Sequence, residues 1–170
     1  MTPEEIFELV LKDEGKLSDH PDDNGGLTHY GILYDEWVAH VHPRKTSRKE
    51  FQTTFTPELA KEIYKLKYWT PLRCAELPPG VAYIVFDAGL LHGIFNSARW
   101  LQLAVNVKVD SNVGPKTVAA TLSADDAETI TAIHNWRMKR IKAHTDYKVF
   151  GRGWTNRLLR VKKKALSNAR

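Results

Sequence analysis

The sequence predicts a mainly α protein with one small loop or hairpin, and three observations carry that prediction. Two segments open with the same helix-start signal, "TPEE" at residues 2–5 and "TPEL" at 56–59. Each has a hydroxyl cap, a proline at the first helical position and an acid in the first turn. Apolar residues then recur at three- and four-residue spacings in both. Between them, residues 15–30 are dominated by Asp, Asn, Gly, Pro and Ser, which are turn and loop chemistry.

The first helix starts at Thr2 as cap and carries Ile6, Leu9 and Val10 as its inner stripe. At roughly 100° per residue, Glu14 falls within about 40° of the apolar centre, while Glu5, Glu8 and Lys12 lie opposite. A carboxylate at 6, 10, 14 spacing therefore points toward the core. Gly15 breaks the helix, and "GGLTHYGIL" suits a short hairpin. In the helix capped by Thr56, Leu59, Ile63 and Leu66 form the expected inner face. Val81 to Leu91 is nearly all apolar, which favours a buried central helix, although periodicity alone also admits a buried strand. "NSARWLQLAVN" and "SADDAETITAIHNWRMKRIKAH" read as further helices, the second opened by Ser123 with Asp126 three residues on. "GRGWTNRLLRVKKKAL" is a basic last helix, and neither a repeat nor a low-complexity linker interrupts the chain.

At 170 residues and 42% hydrophobic, the chain can bury one sizeable core, in one lobe or two, and is not a disordered segment. A formal charge of +5 suits a polyanionic partner: nucleic acid, an anionic membrane face or a bacterial wall. The single cysteine, Cys74, rules out an internal disulfide and fits a reducing cytoplasm. Acids stand where a signal peptide has a basic segment, and no apolar run reaches transmembrane length. The expectation is synthesis in a cytoplasm, with a separate route of release if the protein acts beyond it.

Glu14 and the loop behind it can be read in two ways. The plain reading is a helix end followed by a solvated turn. The chemical reading starts from glycosidic bond cleavage, which needs a protonated carboxyl beside the leaving oxygen and usually a second carboxylate. A half-buried setting helps a carboxyl keep its proton, and Glu14 has that predicted setting. Asp19, Asp22 and Asp23 are candidate second groups, Gly25 and Gly26 allow a tight turn or close approach to a sugar, and Thr28 can hold a water.

From Glu14 through "DNGGLTHYGI" the chain resembles the glycoside hydrolase family 108 lysozymes, whose signature runs E-G-G-Y and then D-P-G-G-x-T-x-Y-G-I. Glu14-Gly15 take the E-G position, Asp23 the aspartate, Gly25 and Gly26 the glycine pair, Thr28 the threonine and Tyr30-Gly31-Ile32 the exit. "LPPGVAYIVFDAGLLHG", "ARWLQLAVNVKVDSNVGPKTVAA" and "FGRGWTNRLLRV" are similar to the companion peptidoglycan-binding region of those proteins. Lys16, Leu17, Asn24, Leu33 and Ser111 depart from the family pattern, and none of these changes removes a carboxylate.

The resemblance implies a lysozyme-like helical fold, with a catalytic muramidase lobe over 1–85 and a peptidoglycan-binding lobe over 86–170, packed as one globular unit. It implies an N-acetylmuramidase of the phage endolysin kind, which cuts the β-1,4 bond between N-acetylmuramic acid and N-acetylglucosamine without a cofactor. Glu14 would be the acid, Asp23 and Thr28 the groups that hold water, and Gly25, Gly26 and Tyr30 glycan contacts. It also implies release through a pore to the periplasm, in keeping with the expected absence of a signal peptide, and a monomer is the default expectation. The alternative is a module that grips peptidoglycan without cutting it.

Several other residues have two readings. Asp87, in an apolar run, either answers a structural hydrogen bond or lines the substrate cleft. Trp69, Tyr83, Trp100 and Trp136 fall on apolar stripes and read as core rather than sugar platforms. His40, His42 and Cys74 match no metal-site spacing, and the Asp-rich loop lacks the alternation of a calcium hand, so no metal is expected. Between Arg137 and Arg170, twelve basic residues face one aspartate, a net of +11. That is a solvated helix face or an attraction to anionic wall or lipopolysaccharide. A nucleic-acid partner has charge in its favour but no recognised motif, and is not expected.

Overall fold

A computed structural model describes residues 1–14, 27–40 and 47–170. Its contacts gather into an amino-terminal unit, Glu4–Lys67, and a carboxy-terminal unit of Tyr68–Arg170 with Met1–Pro3.

In the amino-terminal unit, α1 spans Pro3–Glu14 and buries Ile6, Phe7, Val10 and Leu11. Phe7 and Leu11 thus join the expected stripe, and Leu9 lies half-buried at its edge. The shift moves the stripe's centre to within about 10° of Glu14 on the helical wheel. A two-stranded hairpin follows, β1 (Thr28–His29) and β2 (Ile32–Leu33), with Thr28 opposite Leu33 and His29 opposite Ile32. Then come α2 (Tyr34–His40), α3 (Arg48–Thr54) and α4 (Pro57–Tyr64). Ser47 and Thr56 cap the last two by accepting from the amides of Glu50 and Leu59.

Trp37, Phe51 and Phe55 are almost wholly buried. Their rings stack with centroids 4.8 Å apart for Phe51–Phe55 and 5.1 Å for Trp37–Phe51, the tilted geometry that aromatic quadrupoles favour. One sequence expectation fails here. Leu66 is 64% exposed, and Ala60, Ile63 and Tyr64 form the inner face of α4. The chain passes into a π-helical turn at Lys65–Trp69, whose wider winding breaks the 3.6-residue register beyond Tyr64.

The carboxy-terminal unit is built on α5 (Pro79–His92), every residue of which from Gly80 to Gly89 is buried. Around it pack α6 (Ile94–Ala104), α8 (Asp126–Lys142) and α9 (Tyr147–Leu166), while α7 (Pro115–Ser123) packs on α6. The apolar run is therefore helix, not strand. Val81, Ile84, Val85 and Phe86 are fully buried, each contributing about 1.5–3 kcal/mol. Gly80 brings α5 onto α9 so closely that any Cβ there would strike the Ala165 carbonyl oxygen.

Three boundaries differ from expectation. Ser123 closes α7, and Asp125 caps α8 by accepting from the Glu128 amide at 2.8 Å. The last helix begins at Tyr147 rather than Gly151. A division at 85/86 would cut the continuous α5, whereas the units part between Lys67 and Tyr68.

Candidate active site

Glu14 is the last residue of α1, half-buried at the head of the Ile6, Phe7, Val10 and Leu11 stripe. The turn joining β1 to β2 lies directly against it. Tyr30 (φ 49°) and Gly31 (φ 73°) both take positive φ, the pattern of the tight hairpin turns whose twist matches their strands. A Cβ built at Gly31 would stand 2.8 Å from Glu14 Oε2 and 2.5 Å from the Tyr64 hydroxyl oxygen. No side chain fits there, so glycine is required twice over, by backbone conformation and by space.

Tyr64, from the inner face of α4, donates its hydroxyl hydrogen bond to the Tyr30 carbonyl at 2.6 Å. The turn is thereby tied to a helix independent of α1. On the other side, His29 stacks on Tyr30 (centroids 4.4 Å, interplanar 10°) and meets Phe51 and Phe55 edge-on or tilted at 6.1 and 5.8 Å. Burial lowers the His29 pKa, opposed by a backbone hydrogen bond to Phe51. A neutral ring packed on phenylalanines anchors the hairpin from behind. Lys67 and Glu36 form an ion pair that joins the π-helical turn to α2.

Of the residues expected from sequence, Tyr30 lies in this turn next to the Gly31 that packs on Glu14, and Thr28 lies at the start of the same hairpin, half-exposed. Asp23, Gly25 and Gly26 lie outside the described residues, as do Asp19, Asp22 and His42. Tyr64 escaped the sequence reading. Its signal was a tyrosine on the buried side of an amphipathic helix, because a buried phenol needs a hydrogen-bond partner.

Asp87 sits elsewhere, in the core of the carboxy-terminal unit at 0% exposure. One carboxylate oxygen takes Arg137 Nη2, and the other accepts from Arg157 Nη2 at 2.8 Å and Nε at 3.2 Å. Burial alone would raise its pKa, but the two guanidinium groups bring it below the ordinary carboxylate value. The cleft reading is corrected in favour of the structural one: both oxygens are engaged, and neither is presented to a glycan. Trp69, Tyr83 and Trp100 are buried as expected, while Trp136 is 39% exposed. Cys74 is buried, its thiol pKa pushed up by desolvation.

The basic carboxy-terminal segment is less of a surface feature than its charge count suggests. Arg137 and Arg157 turn inward to Asp87, and Arg170 is held by Asp126.

A family model described as Glycosyl hydrolase 108 matches residues 7–93, a span that includes Glu14, the hairpin and Tyr64. The solved structure of SagA from Brucella abortus superposes with a TM-score of 0.85 at 32% identity, covering 98% of this chain and 95% of that one. No curated protein matches the sequence.

Proposed function

This chain belongs to the glycosyl hydrolase 108 family, and we propose that it cleaves the β-1,4 bond between N-acetylmuramic acid and N-acetylglucosamine in peptidoglycan. Family and lysozyme-like helical fold together imply a peptidoglycan hydrolase. The finer reading adds the bond and the residues. Glu14 donates a proton to the leaving glycosidic oxygen, while Thr28 and Asp23 hold the attacking water. Tyr30, Gly25 and Gly26 contact the glycan beside them.

The observation that supports this most directly is the packing of the Glu14 carboxylate under the Gly31 turn. A general acid works by sitting at a fixed place beside the leaving group. Here α1 fixes the Cα of Glu14, and Tyr64 fixes the turn above its carboxylate. In this reading the enzyme serves bacterial lysis: it is made in the host cytoplasm, reaches the periplasm through a pore, and acts as a monomer. The exposed lysines of α9, Lys163 and Lys164, draw it to anionic wall or lipopolysaccharide, and the carboxy-terminal unit holds the wall.

The test is release of new reducing ends from purified peptidoglycan by wild type and by Glu14→Gln, with wall binding measured in parallel. The expected result is release by wild type alone while both bind. Wall clearance without new reducing ends would assign the cut to a peptide or amide bond, and binding without clearance would leave only a gripping module.

A further inference from the structure

The carboxy-terminal unit has a concave surface that the cleavage reading does not use. A groove of about 490 Å³ runs between α6 and α8, lined by Asn96, Arg99 and Trp100 on one side and by Trp136, Lys139 and Arg140 on the other. Its size is that of a small-ligand site. Among the described residues that line it, none is acidic. The Lys139 ammonium stands 5.5 Å from the Trp136 ring centroid, within the range of a cation–π contact that holds both at the groove wall. Trp136 keeps 39% of its surface exposed, where Trp37, Trp69 and Trp100 keep 6% or less.

The surroundings carry the same sign. Arg140 also lines an adjoining hollow of about 390 Å³ together with His92 and Arg157. Asp87 behind that hollow is outnumbered by Arg137 and Arg157. His92 has its pKa brought down to about 3, by burial first and then by Arg137, Arg140 and Arg157 against the opposing Asp87. The carboxylate of Asp146 is exposed and lies 3.8 Å from His144 at the groove's end.

We propose that this groove binds a carboxylate-bearing peptide, namely the peptide stem of the wall, so that the unit grips peptidoglycan by its acids rather than by its sugars. The proposal rests on the reading of the chain as a peptidoglycan hydrolase. A neutral glycan is held by ring stacking and uncharged donors, and has no use for three cations gathered without an acid. Carboxylates do, since guanidinium and ammonium groups take them in charge-assisted hydrogen bonds. The exposed Trp136 indole suits the aliphatic parts between carboxylates, with the buried Trp100 forming part of the groove's floor. A bilayer would instead meet a convex face with its apolar side down, whereas these cations line a concavity. A second grip on the same polymer raises the effective concentration of the cutting unit at the wall without any new contact at Glu14.

The test uses the full-length chain carrying Glu14→Gln, with indole ¹⁵N labels and the Trp136 signal assigned through Trp136→Phe. The probes are a free-acid stem tetrapeptide, the same peptide fully amidated, a chitotetraose, and phosphatidylglycerol vesicles. The free acid is expected to move the Trp136 signal, and the amidated form to bind about tenfold more weakly or worse. Arg99→Ser with Arg140→Ser should lose a similar factor, and added salt should weaken binding. Equal binding of the amidated peptide or the chitotetraose, an unmoved Trp136 signal, or an unaffected double variant would each overturn the proposal. So would vesicle capture through Arg99 and Arg140 with no peptide binding. Reducing-end release by the wild-type chain separates the two readings: walls cut without peptide binding sink the groove alone, and peptide binding without cutting supports the groove and sinks the cleavage reading.

Discussion

Replacing Asp87 by asparagine keeps the shape of the side chain and removes the charge that pairs with Arg137. Arg137 is 0% exposed, and its Nε and Nη1 atoms find no hydrogen-bond partner among the described residues. Its Nη2 bond to Asp87 is therefore the compensation that makes its burial tolerable. Arg157 differs, because its side chain is 14% exposed and can turn to water once released. The cost thus falls mainly on Arg137, as a buried cation left without its counter-ion, and such losses run to about 3–5 kcal/mol.

Against a total stability on the order of 5–15 kcal/mol, that is a fifth or more, and the melting temperature should fall by roughly 6–20 °C. Denaturant unfolding is the assay, with the slope checked for constancy so that the midpoint reports stability. Adding Arg137→Met should recover much of the loss, giving a coupling on the order of 2 kcal/mol between the two sites. A loss below about 1 kcal/mol at unchanged slope would refute the claim that Asp87 neutralises a buried charge. Unchanged stability with a raised KM for wall would restore Asp87 to the substrate cleft.

Tyr64→Phe removes the donor to the Tyr30 carbonyl and should cost about 1–2 kcal/mol of stability. Turnover should fall on the order of tenfold as the turn loosens over Glu14, and comparing kcat with melting temperature separates the two effects. Gly31→Ala should be worse for activity, because its Cβ would stand 2.8 Å from Glu14 Oε2; an active, fully folded variant would show that the turn and the carboxylate are not packed as described. Burial and neighbouring cations hold His92 down to about 3 and His134 to about 4. As pH falls through about 6.5 the unfolded chain takes up protons that these two cannot, so their contribution is complete above that pH and lost toward 4–3. By pH 5 the loss should be roughly 2 kcal/mol for each, read as a lower melting temperature than at pH 7.5, and a rise on acidification would contradict the assignment.

What sequence revealed and what it hid follow from the range of the interactions involved. Helix starts at Pro3 and Pro57 are set by neighbours in the chain, and both were legible from a Thr-Pro-Glu triplet. So was the position of Glu14, since one face of one helix decides it. The hairpin was legible for the same reason, its turn being written in adjacent residues at 30 and 31. Leu66 was misplaced because a π-helical turn leaves no mark in apolar spacing.

Asp87 could be recognised as a buried acid needing a partner, but not paired. Its arginines come from α8 and α9, far along the chain, and were counted with the basic tail as surface charge. Tyr64 was hidden likewise: its hydroxyl crosses from α4 to the Tyr30 carbonyl, a link between residues 34 apart in sequence that no local pattern encodes. A carboxylate can be placed on a face by periodicity. Whether it becomes an acid aimed at a bond depends on what is pinned above it, and here that is a glycine turn held by a phenol from another helix. The proposed acid is thus the more local part of the candidate site and the residue that positions the turn the less local one, which is why Glu14→Gln tests the sequence reading and Tyr64→Phe tests the structure.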